Sequence, residues 1–394
     1  MDSAGRAAFN ELFSAQKYDK VVSAVNDPYE WKTEFRICET PVFLTDEWTQ
    51  MAIDACDSII TQIQTPEFEA HAKTAIPAGE EVPNPAPHPS FLQIDFAIAE
   101  ENGRLVPKLI ELQGFASMFC YQSELDTAYR TAGLVPDGWT QYFSGHNRES
   151  FLAALKKLIV GNCPIENVVL LEIEPSKQRT KIDFQCTERL LGIAPVCISE
   201  VWQEGTTLMY LREGKPTPIH RIYNRVIFDD LKSKNLPLKF HPTDEIEVEW
   251  IAHPNWFHKL SKHTLPFLKH EAVPESWFVS DLSEIPDDLD NFVLKPLYSF
   301  AGAGVNVNPT KEDILAAPDP AATLLQRKVK YAEFLETPSG RTKGEVRLMY
   351  LWDEKPVLAS TLVRLTRGLL SSVSKNTQDT WIGATTGYHR DSIG

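Results

Sequence analysis

The chain has 394 residues, of which 43% are hydrophobic and 24% charged, a composition typical of globular proteins with two or three cored units rather than of disordered chains. Its 39 basic and 54 acidic residues give a net charge of −15, which disfavours general binding to a nucleic-acid backbone. No apolar run approaches the roughly 20 residues that span a bilayer, and no leader pattern opens the chain, so a cytoplasmic protein without membrane or nucleic-acid partners is predicted.

Helices and strands alternate along the predicted chain. Apolar spacing predicts mostly helix over residues 1–75, the five prolines of 77–90 predict an extended loop, and a β-hairpin follows in FLQIDFAIAE and RLVPKLIELQ. Helix returns over 122–160, and residues 168–199 have the pattern of a parallel βαβ unit. The later predictions are a hairpin turning at 213–214, a helix near 258–268, the strands NFVLKPL and TLLQRKV, and a long antiparallel pair over 345–366.

The first hairpin carries acidic side chains where an apolar strand is otherwise expected. Glu111 is predicted to lie on the same face of its strand as Leu109 and Gln113. Whether Asp95 on the partner strand points to that face depends on the turn. A three-residue loop over 101–103 sets Asp95 opposite Leu109, with Glu111 diagonal to it. A two-residue Asn-Gly turn points Asp95 and Glu111 to opposite faces, unless a bulge at Pro107 restores the alternation.

Two neighbouring carboxylates favour a cation between them, because like charges at that separation raise each other's pKa. The sequence therefore predicts an Mg²⁺ site with oxygen ligands from Asp95, Glu111 and the carbonyl group of Gln113. The alternative is an exposed hairpin whose polar face is solvated.

A lysine strand and a glycine turn predict a phosphate contact in the C-terminal third. Lys295 ends an apolar strand, and Gly302 and Gly304 in the following turn let backbone N–H groups approach a phosphate. About twenty residues later, Leu325 and Gln326 are predicted to offer hinge backbone to a purine. A plain hairpin and a surface lysine are the alternatives for this segment.

The lysine strand, the glycine turn and the strand TLLQRKV, in this order, resemble the nucleotide site of the ATP-grasp superfamily. Arg347 and Arg364 on the long strand pair and Asn376 beyond it complete the resemblance. The acidic hairpin precedes the lysine by almost two hundred residues, an inversion that resembles the circularly permuted ATP-grasp ligases such as glutathionylspermidine synthase. The resemblance covers about residues 90–390. It implies an α+β, circularly permuted ATP-grasp fold with an inserted Rossmann-like (pre-ATP-grasp) α/β subdomain.

The same resemblance assigns further residues. Lys262 in HKLSKHTLPFL is a second phosphate contact, and Arg225 follows the strand after the inserted subdomain. Gln113 replaces the asparagine of the family's E-x-N pattern, and Gln93 replaces an arginine. The implied division is 1–160, N-terminal helices with the metal-binding hairpin of the ATP-grasp core, then 161–250, the Rossmann-like subdomain, and 251–394, the nucleotide-binding subdomain.

The implied activity is ATP- and Mg²⁺-dependent activation of a small carboxylate as an acyl phosphate, which an amine then attacks. Arg347, Arg225 and Arg364 are the predicted catalytic residues. An ATP-grasp phosphotransferase and a non-catalytic ATP-binding module are the alternatives, and the residues specify neither the acid and amine nor an oligomeric state.

Two other features carry weaker signals. The loop over residues 175–181 follows an apolar strand, and its charges suit either an acidic substrate or a solvated surface. His253, His258, His263 and His270 have an irregular spacing that favours packing or surface roles over metal ligation.

Overall fold

The computed structural model describes residues 1–234, 236–297, 304–368 and 379–393 as a mixed α+β fold. Its helices are α1 Ser3–Leu12, α2 Ala15–Asn26, α3 Asp46–Ile63, α4 Pro66–Lys73, α5 Phe119–Thr131, α6 Arg148–Val160, α7 Lys181–Leu191, α8 Phe228–Lys234, α9 Asn255–Lys259 and α10 Lys311–Leu315. Its strands are β1 Val42–Phe43, β2 Phe91–Glu101, β3 Arg104–Gln113, β4 Trp139–Thr140, β5 Val168–Glu172, β6 Pro195–Cys197, β7 Trp202–Glu204, β8 Thr207–Arg212, β9 Lys215–Ile219, β10 Arg221–Asn224, β11 Glu249–Ile251, β12 Ser276–Phe278, β13 Phe292–Pro296, β14 Thr323–Arg327, β15 Leu335–Thr337, β16 Gly340–Trp352, β17 Pro356–Thr366, β18 Gly383–Thr385 and β19 Gly387–Arg390.

The central sheet joins the two ends of the chain. Its strand order is β18-β17-β16-β2-β3, with β15 paired to β16, so the N-terminal hairpin lies beside the long C-terminal strand pair. On one face Ile94, Phe96 and Val346 belong to the core that also holds residues of α3. Since side chains alternate along a strand, the intervening residues of β2 and β16 point to the opposite face.

The turn between β2 and β3 is the two-residue Asn-Gly alternative rather than the three-residue loop. Asn102 and Gly103 have φ of 51° and 77°, and the strands pair from Glu101 and Arg104 onward, an arrangement that Asn-Gly favours because both positions require positive φ. A bulge restores the alternation, but it lies between Asp95 and Phe96 rather than at Pro107.

The bulge has a direct consequence for the acidic pair. Asp95 lies directly opposite Glu111, and not opposite Leu109 as the three-residue loop would have placed it. The two carboxyl groups nevertheless share the polar side of the hairpin, as the second alternative for the turn required.

The predicted βαβ unit is present. β5 and β6 are parallel neighbours connected through α7, within a parallel sheet of order β11-β10-β5-β6. The predicted turn at 213–214 joins β8 to β9, but residues 221–224 form β10, which pairs with β5 and β11 instead of extending that hairpin. The carboxyl ends of β5 and β10 therefore lie side by side.

The predicted helix near 258–268 is broken. α9 ends at Lys259, and a separate 3₁₀ helix, Lys262–Phe267, begins after Ser261, whose side chain accepts a hydrogen bond from the His263 backbone N–H and so caps it. Pro266 within the second segment cannot donate a helical backbone hydrogen bond. The region predicted as helix over 122–160 likewise divides into α5, the short strand β4 and α6.

The buried cores draw on distant parts of the chain. Phe9 of α1 and Tyr388 of β19 belong to one apolar cluster, which also takes in buried residues of α5, α6 and α7. The division at residues 160 and 250 stays a prediction. Within the described residues, no helix has both the length and the apolar character needed to cross a bilayer.

Candidate functional site

A cavity of about 370 Å³ opens where the polar face of the central sheet meets the segment around α9 and the carboxyl ends of the parallel sheet. Its lining includes half of the predicted site residues and several that the sequence did not single out. The charged and polar residues of the lining are Glu111, Gln113, Ser117, Glu172, Gln178, Thr180, Arg225, Asp229, Asp230, His258, Ser261, Lys262, His263, Arg347 and Arg364.

Asp95 is held by two arginines beside this cavity. The Arg347 guanidinium donates to both carboxylate oxygens, at 2.5 and 2.7 Å, and Arg364 donates to one of them at 2.6 Å. Arg364 also donates to Glu345 at 2.8 Å. Although burial favours the neutral acid, these positive charges hold the pKa of Asp95 below its ordinary value.

This network corrects the electrostatic argument for a metal. The repulsion between Asp95 and Glu111 was expected to require a cation, yet two guanidinium groups already balance the charge of Asp95. Arg347 also donates to the buried Gln93 side chain at 3.0 Å, so the glutamine that replaces an arginine of the resembled family supports another arginine here.

Glu111 and Gln113 offer oxygen atoms to the cavity. Burial and the negative charge of Asp95 raise the pKa of Glu111, whereas Arg347, Arg364 and Lys262 oppose that rise. A carboxylate and an amide are donors of the kind that Mg²⁺ takes. These two residues therefore fit a magnesium ion, whereas hydrogen bonds from arginines already take three of the roughly four acceptor positions of Asp95. No cluster of three or more His, Cys, Asp or Glu ligands occurs within the described ranges.

The two predicted lysines lie near Glu111. Lys295 is partly buried on β13, as its apolar flanks predicted, and its ammonium group donates to the Gln326 side chain. Burial and the positive charge of Lys262 lower the pKa of Lys295 to about 8, while Glu111 and Glu345 act in the opposite direction. Lys262 donates to the Pro296 carbonyl at 3.1 Å, and burial lowers its pKa as well. Segments almost two hundred residues apart thus meet at one place.

The predicted hinge has a different arrangement. Leu325 and Gln326 lie inside β14, the central strand of a three-stranded sheet, with β12 on one side and β13 on the other. Their backbone is in pairing register with both neighbouring strands, and a contact of this backbone with a purine stays a prediction. The Gln326 side chain is buried, accepts from Lys295 and donates to Ser276 at 3.0 Å, which makes it a support for the lysine.

The glycine turn is described only at its end. Gly302 and Asn376 lie outside the described residues. Gly304 has φ of 71°, and a Cβ atom there would lie 2.9 Å from Pro296 Cγ, so both conformation and space favour glycine. Just beyond it, Asn306 exchanges two backbone hydrogen bonds with Leu294, which returns the chain alongside β13.

Arg225 lies across the cavity, immediately after β10. Its backbone N–H donates to Leu171, which continues the pairing with β5. The guanidinium lies over the rings of Phe115 and Phe184, at 4.7 and 5.5 Å from their centroids. It is only 4% exposed, and its Nε and one terminal nitrogen lack hydrogen-bond partners among the described residues. A buried cation with free donors is suited to bind an anionic group.

Several cavity residues were missed. Glu172 ends β5, and burial raises its pKa to about 8, with the Arg225 charge only partly opposing that rise. Asp229 and Asp230 begin α8, and His258 lies on α9. Glu172 follows an apolar strand, so the rule that ligands gather at the carboxyl ends of parallel strands was a usable signal for that residue. The place of His258 in the cavity depends on tertiary contacts, for which the sequence pattern carries no signal.

Comparisons with known proteins address the fold. No family model matches the chain, and no curated protein sequence is significantly similar to it. The structure is similar to a solved apo form of a glutathione synthetase-like effector, GSS30, from Globodera pallida, with a TM-score of 0.58 and 13% sequence identity over 98% of each chain. At this identity the likeness concerns the fold alone, and it supports an ATP-grasp-like α+β architecture.

Proposed function

We propose that the protein is an ATP-dependent ligase that activates a small-molecule carboxylate as an acyl phosphate, which an amine then attacks. One observation carries the proposal: a single cavity is lined by Glu111, by Lys262 and by the buried, incompletely bonded Arg225. The first pair suits a metal–phosphate group, and the arginine suits a carboxylate. Phosphoryl transfer between two such bound groups depends mainly on positioning and charge neutralisation.

The lysines are assigned to the phosphates of ATP. The neighbouring ammonium groups of Lys262 and Lys295 disfavour each other's charge, and a bound polyanion removes that cost. Magnesium, when bound, would neutralise charge on the transferred phosphoryl group, and Glu111 and Gln113 are the residues that would hold it.

The arginines have separate assignments. Arg225 binds and orients the carboxylate substrate. Arg347 and Arg364 surround Asp95 and line the cavity. They thereby present positive charge to the reacting groups while their position is fixed by the sheet.

The proposal includes a circularly permuted ATP-grasp core with an inserted Rossmann-like subdomain. Its support is the strand order, because the hairpin β2–β3 precedes the lysine strand β13 in the chain yet adjoins β16 of the C-terminal pair. The sheet β11-β10-β5-β6 corresponds to the inserted subdomain. Its parallel strands bring Arg225 to the cavity.

The test is ADP release from MgATP in a screen of carboxylic acids, amino acids and short peptides, each with and without an amine. A ligase releases ADP and phosphate only when both an acid and an amine are present. A stable phosphorylated product formed without an amine would instead identify a phosphotransferase. Binding of MgATP without ADP release from any pair would identify a nucleotide-binding module.

A further inference from the structure

A buried histidine beside the cavity belongs to none of the assignments above. His258 of α9 lines the cavity and is only 3% exposed. Its ring stacks on Phe228, with centroids 5.8 Å apart, and contacts Phe257 edge-on at 5.3 Å. Packing between two aromatic rings fixes the orientation of the imidazole.

A buried carboxylate faces one nitrogen of this ring. Glu80, in the loop between α4 and β2, is 4% exposed, and its Oε2 lies 3.3 Å from Nε2 of His258. The other oxygen of Glu80 pairs with Lys232 of α8. Neither Oε2 of Glu80 nor Nε2 of His258 has a hydrogen-bond partner among the described residues, so the contact between them is electrostatic. The negative charge beside Nε2 favours the proton on that nitrogen, which leaves the lone pair on Nδ1.

The surroundings keep the imidazole neutral and able to accept a proton. Burial lowers the pKa of His258, Glu80 and Asp229 oppose that effect, and Lys232 reinforces it. These groups come from the 77–90 loop and from α8, the elements packed against the ring. The net lowering means that the ring is uncharged at neutral pH.

We propose that His258 is the base that removes a proton from the ammonium group of the incoming amine, with Glu80 as its positioning residue. The inference rests on the proposed ligase function. An alkylammonium group resembles a lysine side chain, with a pKa near 10.4, and has no lone pair for attack until it loses a proton. His258 lies in the same cavity as Lys262 and Arg225, where the acyl phosphate would form.

Amide formation moves two protons and one phosphate group. One ammonium proton moves to Nδ1 of His258, and the freed lone pair forms the N–C bond to the acyl carbon. The C–O bond to the phosphate breaks, and inorganic phosphate leaves with that electron pair. The second amine proton passes to water as the amide forms, and the imidazolium then returns its own proton to water.

Two nucleophiles of similar size separate this role from a structural one. Methylamine is protonated at neutral pH, whereas hydroxylamine is already unprotonated and needs no base to begin its attack. ADP release is measured with the best acid from the screen and each nucleophile, for the parent, His258→Gln and Glu80→Gln.

We expect His258→Gln to lower kcat with methylamine by about 100-fold, while the hydroxylamine rate and the MgATP melting shift stay within about two-fold of the parent. Raising the pH should restore part of the methylamine rate, because more amine is then unprotonated. Glu80→Gln should show a smaller loss of the same kind. His241→Gln is the matched control, since His241 packs on the same Phe228 ring, at 5.9 Å, outside the cavity lining.

Equal losses with both nucleophiles, or a parent-like methylamine rate in His258→Gln, would overturn the assignment while leaving the ligase intact. If Gln at position 258 prevents folding, Glu80→Gln decides by the same ratio of the two rates. A parent that releases no ADP with any acid and amine overturns the ligase function itself, and the inference with it.

Discussion

Arg347 lies directly opposite Asp95 on the neighbouring strand and donates hydrogen bonds to both oxygens of that buried carboxylate. Arg364, on the next strand β17, also donates to Asp95. Two guanidinium groups of the C-terminal strand pair therefore neutralise a carboxylate of the N-terminal hairpin. The ion pair between Asp95 and Arg347 fixes the register of β2 against β16 where the polar face of the sheet borders the cavity. A single buried charge cluster thus ties fold and site together.

Breaking this cluster on one side should be costly. Asp95→Asn leaves Arg347 charged and buried, and we expect a loss of about 3 to 5 kcal/mol in the free energy of unfolding, measured by urea denaturation. The double variant Asp95→Asn, Arg347→Met removes both charges and should recover a large part of that loss. Asp353→Asn is the control, because its ion pair with Lys157 is exposed and screened by solvent. A loss for Asp95→Asn no larger than the control would show that the cluster does not stabilise the sheet.

The nucleotide assignment depends on two residues far apart in sequence. Glu111→Ala removes the proposed metal ligand and Lys295→Ala the proposed phosphate contact, so each should abolish the increase in melting temperature that MgATP gives the parent. Differential scanning fluorimetry with and without MgATP measures that increase. Lys311→Ala, at an exposed ion pair with Asp287, should keep it. If both Glu111→Ala and Lys295→Ala respond to MgATP as the parent does, the site assignment is wrong.

The sequence predicted those features that depend on local pattern. Alternation along VRLMYL correctly set Arg347 away from the apolar face, and VLKPL correctly predicted the partial burial of Lys295. The strand–helix–strand pattern over 168–199 gave the parallel sheet. Each depends on side-chain period or flanking hydrophobicity, which are properties of a few consecutive residues.

What the sequence did not predict depends on partners distant along the chain. The two-residue turn and the bulge beside Asp95 together set Glu111, rather than Leu109, opposite it. The charge balance of Asp95 required knowing that two arginines about 250 residues away share its sheet face. The pairing of β12 along one side of the proposed hinge strand β14 also depends on a distant segment. Glu80 reaches His258 from a proline-rich loop that carries no periodic signal.

Arg225 should govern the carboxylate substrate without affecting the nucleotide. Arg225→Ala removes a buried guanidinium with free donors, so we expect KM for the acid to rise by about 10- to 100-fold, the value of a charged hydrogen bond. The MgATP melting shift should stay parent-like. Arg212→Ala, at an exposed arginine of β8 outside the cavity lining, is the charge-matched control. A parent-like KM for the acid in Arg225→Ala would remove the arginine from the substrate site.

The pH dependence of ATP binding should report on Lys295. Its pKa of about 8 means that the amine is charged below pH 8 and loses its proton as the pH rises further. A bound phosphate favours the charged form, so affinity for MgATP should be constant below pH 8 and fall by up to about tenfold per pH unit between roughly 8 and 10. Isothermal titration calorimetry should also show proton uptake on binding in that range.

Without nucleotide, the folding stability changes with pH in the opposite direction to the MgATP affinity. The folded-state pKa of Lys295 lies below the value near 10.4 of an unfolded lysine, so between pH 8 and 10 the unfolded chain binds more protons. This group therefore makes the free protein more stable as pH rises, whereas ATP binding weakens. Lys295→Arg stays charged throughout and should flatten both dependences. If its MgATP affinity still falls above pH 8 as in the parent, a different group titrates and Lys295 does not contact the phosphates.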